Sequence, residues 1–258
     1  MNKIEKQMLA ILRELNQSFG VTGVKASLEA EGIRLDELQR TKELTMAAGI
    51  GLTVKLGGCE ALTDLRLTKM IGVNAVMAPM IESRFALEKF LAMVAGEYAA
   101  EEMQDIDLLI NIETADGHQN FPQIVQADNL ADLTGIVLGR TDLAKALKAA
   151  DVNASELLVI ARDIFQQAKQ KSLICMVGGG ITPASVPFLR DLADLLDGFE
   201  TRKVVFGNYG QAKCDIEAGI RLALQFECHW YELKQNYYGA LDKEDASKMK
   251  GIAALLSV

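Results

Sequence analysis

Hydrophobic and polar positions along the chain fall into two alternating rhythms. Short runs of aliphatic and β-branched residues occupy 21–28, 51–56, 74–78, 108–112, 135–138, 173–177 and 203–206. Runs of that length and composition predict strands. Between them, 35–48, 61–70, 84–98, 155–171 and 183–196 carry apolar residues three and four positions apart, the spacing of a helix with one buried face. The first fifteen residues and the stretch after Lys213 follow the same helical spacing.

Strand, helix, strand, helix implies parallel strands joined by crossover helices, and nearly continuous apolar strands suit a sheet covered on both faces. The expected fold is therefore α/β, a (β/α)8 TIM barrel with a C-terminal helical extension. Seven strands are legible where a barrel needs eight, so either one is short and polar or the barrel is irregular. A doubly wound open sheet is the alternative. With 258 residues and no linker or repeat, 1–258 reads as one barrel domain. Residues 213–258 form a helical tail suited to an oligomer interface, which makes a homo-oligomer the expected assembly.

Composition narrows the function. Half the residues are hydrophobic and the net charge is -8, which argues against a nucleic-acid binder needing a basic face. No apolar run is long enough to span a bilayer, and the amino terminus lacks a signal-peptide pattern, so the expected location is cytoplasmic. Cys59, Cys175, Cys214 and Cys228 are scattered without a C-x-x-C pair and read as reduced thiols.

In a barrel, chemistry gathers where the strands end. The segments there are K-A-S-L-E-A-E-G, K-L-G-G-C-E, A-P-M-I-E-S, N-I-E-T-A-D-G, L-G-R-T-D-L, V-G-G-G-I-T and F-G-N-Y-G. Nearly all carry glycine, a carboxylate or both. Glu113 ends one strand and Asp142 follows the next by a short turn. On adjacent strands two such carboxylates would repel, and a divalent cation such as Mg²⁺ or Mn²⁺ would relieve the conflict. The plainer alternative is that Asp142 caps a helix beginning near Leu143 while Glu113 is solvated. Asn111, two residues before Glu113, faces the same side of its strand and is a candidate substrate or metal-water contact. Gly139 with the backbone N–H groups of Arg140, Thr141 and Asp142 opens a helix able to receive a substrate carboxylate. V-G-G-G-I-T and F-G-N-Y-G are either a phosphate site between two late loops or turns that pass close to a ligand. Glu200 and Arg202 read as a structural pair at the barrel's other end.

The segments A-P-M-I-E-S, I-N-I-E-T and G-I-V-L-G-R-T-D-L, in that order, resemble the HpcH/HpaI aldolase and citrate lyase β-subunit family of phosphoenolpyruvate-binding barrels. The resemblance runs from about Val21 to Gly207. It implies that Glu113 and Asp142 bind Mg²⁺ or Mn²⁺ and that the metal chelates a pyruvate-like 2-oxo acid. The implied activity is metal-dependent carbon–carbon bond cleavage through a pyruvate enolate. The alternatives are an acyl-CoA lyase of the citrate or malyl-CoA type and a non-catalytic descendant that binds a metal–carboxylate ligand. Two departures bear on the chemistry. Where pyruvate aldolases of the family place an Arg, this chain has Lys55, which supplies charge without the bidentate fork. Lys55 also has a Schiff-base reading and a purely structural salt-bridge reading. Where the family places a His, S-L-E-A-E-G offers only Glu29 and Glu31. The remaining candidates for the proton-transfer group are Glu29, Glu60 and Glu82, with His118 at the pocket rim or simply exposed.

Overall fold

The computed structural model describes residues 1–28 and 31–257. Helix α1 (Lys3–Phe19) is started by a capping box in which Asn2 and Glu5 satisfy each other's backbone N–H. Seven strands then run β1 (Gly23–Ser27), β2 (Gly51–Lys55), β3 (Ala75–Ala78), β4 (Asp107–Ile112), β5 (Gly135–Gly139), β6 (Ile174–Gly178) and β7 (Gly198–Glu200). Each pairs parallel to the next, in sequence order. The connections carry α2 (Leu35–Ala48), α3 (Leu62–Ile71), α4 (Arg84–Glu97), the short α5 (Ala115–Gln119) and α6 (Phe121–Ile124), α7 (Arg140–Leu147), α8 (Ser155–Gln170) and α9 (Val186–Asp191).

The eighth strand, β8 (Val204–Phe206), closes the barrel but runs antiparallel to both β7 and β1. Only Thr201–Lys203 separate it from β7, and a parallel return needs a crossover of a dozen residues or more. A tight hairpin is the only geometry open to so short a link. Thr201 N–H donates to Val204 O at 2.9 Å, and the Thr201 hydroxyl accepts the Val204 N–H at 3.1 Å. Phe199 stacks on Phe206 with ring centroids 4.4 Å apart, worth about 1 kcal/mol beyond its buried area. The strand missed in the sequence is thus β7, three residues long and ending in a glutamate.

The reversal moves one predicted site segment. F-G-N-Y-G follows β8 and so lies at the opposite rim from the ends of β1–β7. There Asn208 N–H donates to Gly20 O at 3.1 Å, at the entry to β1. The two-loop phosphate site is not formed. Glu200, conversely, ends β7 and stands at the mouth rather than at the far end.

Side chains of the strands divide cleanly. Val24, Ala26, Leu52, Val54, Val76, Ile110, Ile136, Leu138, Val177 and Phe199 belong to the main core under the helices. Ala75, Met77, Leu109, Val137, Met176 and Val205 form a separate cluster inside the barrel. After β8 come α10 (Tyr209–Ala212), α11 (Ile216–Tyr238) and α12 (Lys243–Leu256); α11 packs along α1 and α12 packs on α11. No helix among the described residues is long and apolar enough to cross a membrane. The four cysteines form no disulfide, and burial raises the Cys175 thiol to about 12, leaving it unreactive.

Candidate active site

Two residues beyond the apolar floor of the barrel, toward the carboxyl ends, the inward positions turn polar. Leu109 is followed by Asn111 and Glu113, while Val137 and Met176 are followed by Gly139 and Gly178. The strand period of two therefore puts Lys25, Lys55, Asn111, Glu113 and Glu200 on the lumen side above the floor.

Glu113 is the centre of this layer and is 4% exposed. Lys55 Nζ lies 2.9 and 3.0 Å from its two carboxylate oxygens. Asn111 Nδ2 donates to Oε2 at 2.8 Å, and the backbone N–H of Met80 donates to Oε1 at 3.1 Å. Met80 adopts a left-handed φ of 44°, rare for a residue with a side chain, which aims its N–H into the mouth. Asn111 Oδ1 is buried with no hydrogen-bond partner among the described residues. A second pair joins Lys25 of β1 to Glu200 Oε1 of β7. Glu200 is 2% exposed, and its Oε2 is also without a partner.

Two glycines make room for these carboxylates. A Cβ on Gly139 would stand 2.6 Å from both Cβ and Oε2 of Glu113, and one on Gly178 would stand 2.9 Å from Glu200 Oε1. Gly139 and Gly178 are register partners on β5 and β6. The two carboxylates therefore occupy the space over neighbouring strands that lack side chains there. The third glycine of interest, Gly179, has a φ of 77° and packs so close to α7 that a Cβ would fall 2.6 Å from Thr141 N. V-G-G-G is thus a close-passage turn. Arg140 fixes it, accepting no exposure and donating to the carbonyls of Gly178, Gly179 and Val152, to Asn153 Oδ1 and to Ser185 Oγ. Burial lowers its pKa to about 10, so it remains charged at neutral pH. Its side chain is a structural clamp, and only its backbone N–H is left as a ligand contact.

The remaining candidates are dispersed. Asp142 lies in the first turn of α7, exposed and paired with Lys145 at 3.0 Å; α7 begins at Arg140, so Asp142 is not its cap. Glu82 is half-buried, with its carbonyl accepting from Asn120 Nδ2 at 2.9 Å. Glu60 pairs with Lys89 on α4, and His118 with Asp163 on α8. Glu29 lies outside the described residues. Glu31 pairs with Lys203. Lys25 and Glu200 were not singled out as site residues from sequence; an acid closing a three-residue apolar run, G-F-E, was the available signal.

A dication held by Glu113 and Asp142 can be tested on this geometry. The four donor contacts at Glu113 match the roughly four lone-pair sites of a carboxylate. Lys55 already stands where a cation would, and Asp142 is engaged at the surface. Among the described residues no group of three or more His, Cys, Asp or Glu side chains is arranged to hold a metal. The residues as placed do not fit one.

The chain is a closed α/β barrel with paired lysines and carboxylates on the rim where β1–β7 end, the rim at which barrels of this kind build their sites. Residues 54–179, from β2 to just past β6, match the family model for HpcH/HpaI aldolase/citrate lyase, so the resemblance seen in the sequence is also found as a family-model match over that segment. No curated protein matches the chain significantly. Solved structures of similar shape include an HpcH/HpaI aldolase from Desulfitobacterium hafniense DCB-2, with a TM-score of 0.60 at 10% identity over 75% of this chain and 82% of that one. An HpcH/HpaI aldolase/citrate lyase family protein from Burkholderia cenocepacia J2315 gives 0.61 at 14% identity, over 86% and 89%. Citrate synthase SbnG gives 0.59 at 15% identity, over 84% and 98%. At these identities the likeness is one of fold.

Proposed function

We propose that the chain is a carbon–carbon lyase that releases a pyruvate-type 2-oxo acid from a small 4-hydroxy-2-oxo acid. The observation that carries this reading is a partly buried ammonium at the barrel mouth facing the same lumen as a carboxylate oxygen with no partner among the described residues. Lys55 has three N–H donors and spends two on Glu113, leaving one for a substrate oxygen. Glu200 Oε2 is buried and has no hydrogen-bond partner among the described residues, so it is the acceptor assigned to the proton.

The 2-oxo oxygen sits against Lys55, and the 4-hydroxyl donates its proton to Glu200. The C3–C4 bond then breaks, C4 leaves as an aldehyde, and the electron pair moves into C2–C3 as the C2 oxygen becomes an oxyanion. Lys55, held by Glu113, stabilises that charge where it develops. Glu200 returns its proton to C3 and the 2-oxo acid departs, so one group serves as base and then acid. Asn111 Oδ1 takes a further hydroxyl of the substrate. Two hydrogen bonds to Glu113 hold the Lys55 nitrogen against that carboxylate, so it acts as a hydrogen-bonding cation rather than a Schiff-base nucleophile.

Pyruvate release from a panel of 4-hydroxy-2-oxo acids, read through lactate dehydrogenase, tests the reading. Turnover is expected and should fall by about 100-fold or more in Glu200→Gln and Lys55→Met. Borohydride added with pyruvate should leave Lys55 unmodified. A panel with no pyruvate released from any member would sink the lyase and leave a non-catalytic binder.

A further inference from the structure

We infer that the working cation of this site is built into the chain: the Lys55 ammonium holds the place of a divalent metal, and the mouth binds its ligand without one. The statement rests on the lyase reading only for the identity of the ligand; the placement of the cation stands on geometry.

Three independent features agree. First, both oxygens of Glu113 are already engaged, by Lys55, Asn111 and Met80. A dication demands oxygens at roughly 2.0–2.6 Å on several sides, and reaching Glu113 would require evicting an ammonium whose side chain is only 16% exposed. Second, the polar layer is charge-balanced as it stands. Among the described residues facing the lumen there, Glu113 and Glu200 are matched by Lys55 and Lys25. A dication would add two uncompensated positive charges to a buried space, which is costly. Third, the second carboxylate that a metal would need is turned away. Asp142 is 56% exposed and bonded to Lys145 one turn along its helix.

The buried acceptors left without partners among the described residues point the same way. Asn111 Oδ1 and Glu200 Oε2 ask for hydrogen-bond donors, such as ligand hydroxyls, and together they make a poor ligand set for a metal. Lys55 places its charge against both oxygens of Glu113 and has a third N–H donor for the ligand.

The test is a titration of chelator-treated protein with Mn²⁺, followed by the loss of the free-ion electron paramagnetic resonance signal. The wild type and Glu113→Gln are expected to show the same weak binding. Lys55→Met, which leaves Glu113 unpaired, should bind one Mn²⁺ at least tenfold more tightly, and Lys55→Met/Glu113→Gln should lose that gain. Should Lys55→Met fail to fold by circular dichroism, Lys55→Gln serves instead. Stoichiometric micromolar binding to the wild type, abolished by Glu113→Gln or Asp142→Asn, overturns the inference, as does the absence of any gain in the lysine variants. Because Mn²⁺ alone is the probe, failure to find a 2-oxo acid substrate would count against the lyase and leave this result intact.

Discussion

At the scale of single residues, period-two alternation was enough to place Asn111 beside Glu113, and the two side chains do meet at 2.8 Å. Lys55 was marked as a strand-end cation by the family resemblance, where it stands in place of an Arg. What alternation does not give is a partner across the barrel. Lys55 is 58 positions from Glu113, and Lys25 is 175 from Glu200. Outside the site, the most consequential single group is Glu227 on α11, 3% exposed, with the Tyr231 hydroxyl donating to it at 3.0 Å and Arg202 at 3.6 Å. Burial is the largest influence and raises its pKa above the usual 4.5, with Arg202 and Lys203 opposing. Folding therefore favours the protonated carboxyl. Its contribution to stability is complete below about pH 4.5 and is lost as the pH rises through the higher folded-state value. Glu227→Gln keeps the acceptor for Tyr231 and removes the titration. Urea unfolding between pH 4 and 8 should show the wild type losing ground to this variant as the pH rises; a constant difference would refute the assignment.

At the scale of elements, the junction of β5 with α7 decides whether the mouth assembles. Gly139 is the last residue of β5, and the space its missing Cβ leaves is filled by Glu113. In Gly139→Ala the added methyl would meet Glu113 at 2.6 Å, so the carboxylate must swing away from Lys55. Overpacking of this kind costs about 1–3 kcal/mol, and turnover should drop at least tenfold. Gly135→Ala is the control. Its Cβ would meet Ile174 O at 2.7 Å, at the other end of the strand, so stability should fall while the Glu113–Lys55 pair persists. Equal retention of activity in both variants would show that Glu113 does not need its place. The long helices and seven of the strands, β1–β6 and β8, were legible from the sequence pattern because each buries one face or both against a predictable neighbour. The hairpin β7–β8 was not, since G-F-E-T-R-K-V-V-F has neither the Asn-Gly nor the Gly-rich turn that announces a reversal.

At the scale of the whole molecule, the chain closes its barrel with one reversed strand and then returns along α1. That return layer is finished by α12, which buries Ile252 and brings Asp245 to Lys234, 2.5 Å away. Lys234 also faces Glu37 on α2 at 3.4 Å, so it keeps a partner when α12 is absent. Deletion of residues 240–258 is therefore expected to lower stability by about 1–3 kcal/mol, the scale of burying a large apolar side chain or two. A single cooperative thermal transition should remain; a broad or absent one would mean that α12 is integral to the barrel. The sequence by itself determined the alternation of strands and helices, the barrel class, and the shared inward side of Asn111 and Glu113, because those follow from local periodicity and burial. Only the tertiary structure decided the direction of β8, the pairing of Lys55 with Glu113 and of Lys25 with Glu200, and the outward turn of Asp142. Those are matters of which side chains share one small, poorly solvated space, and charge neutrality within that space is a property of no single segment.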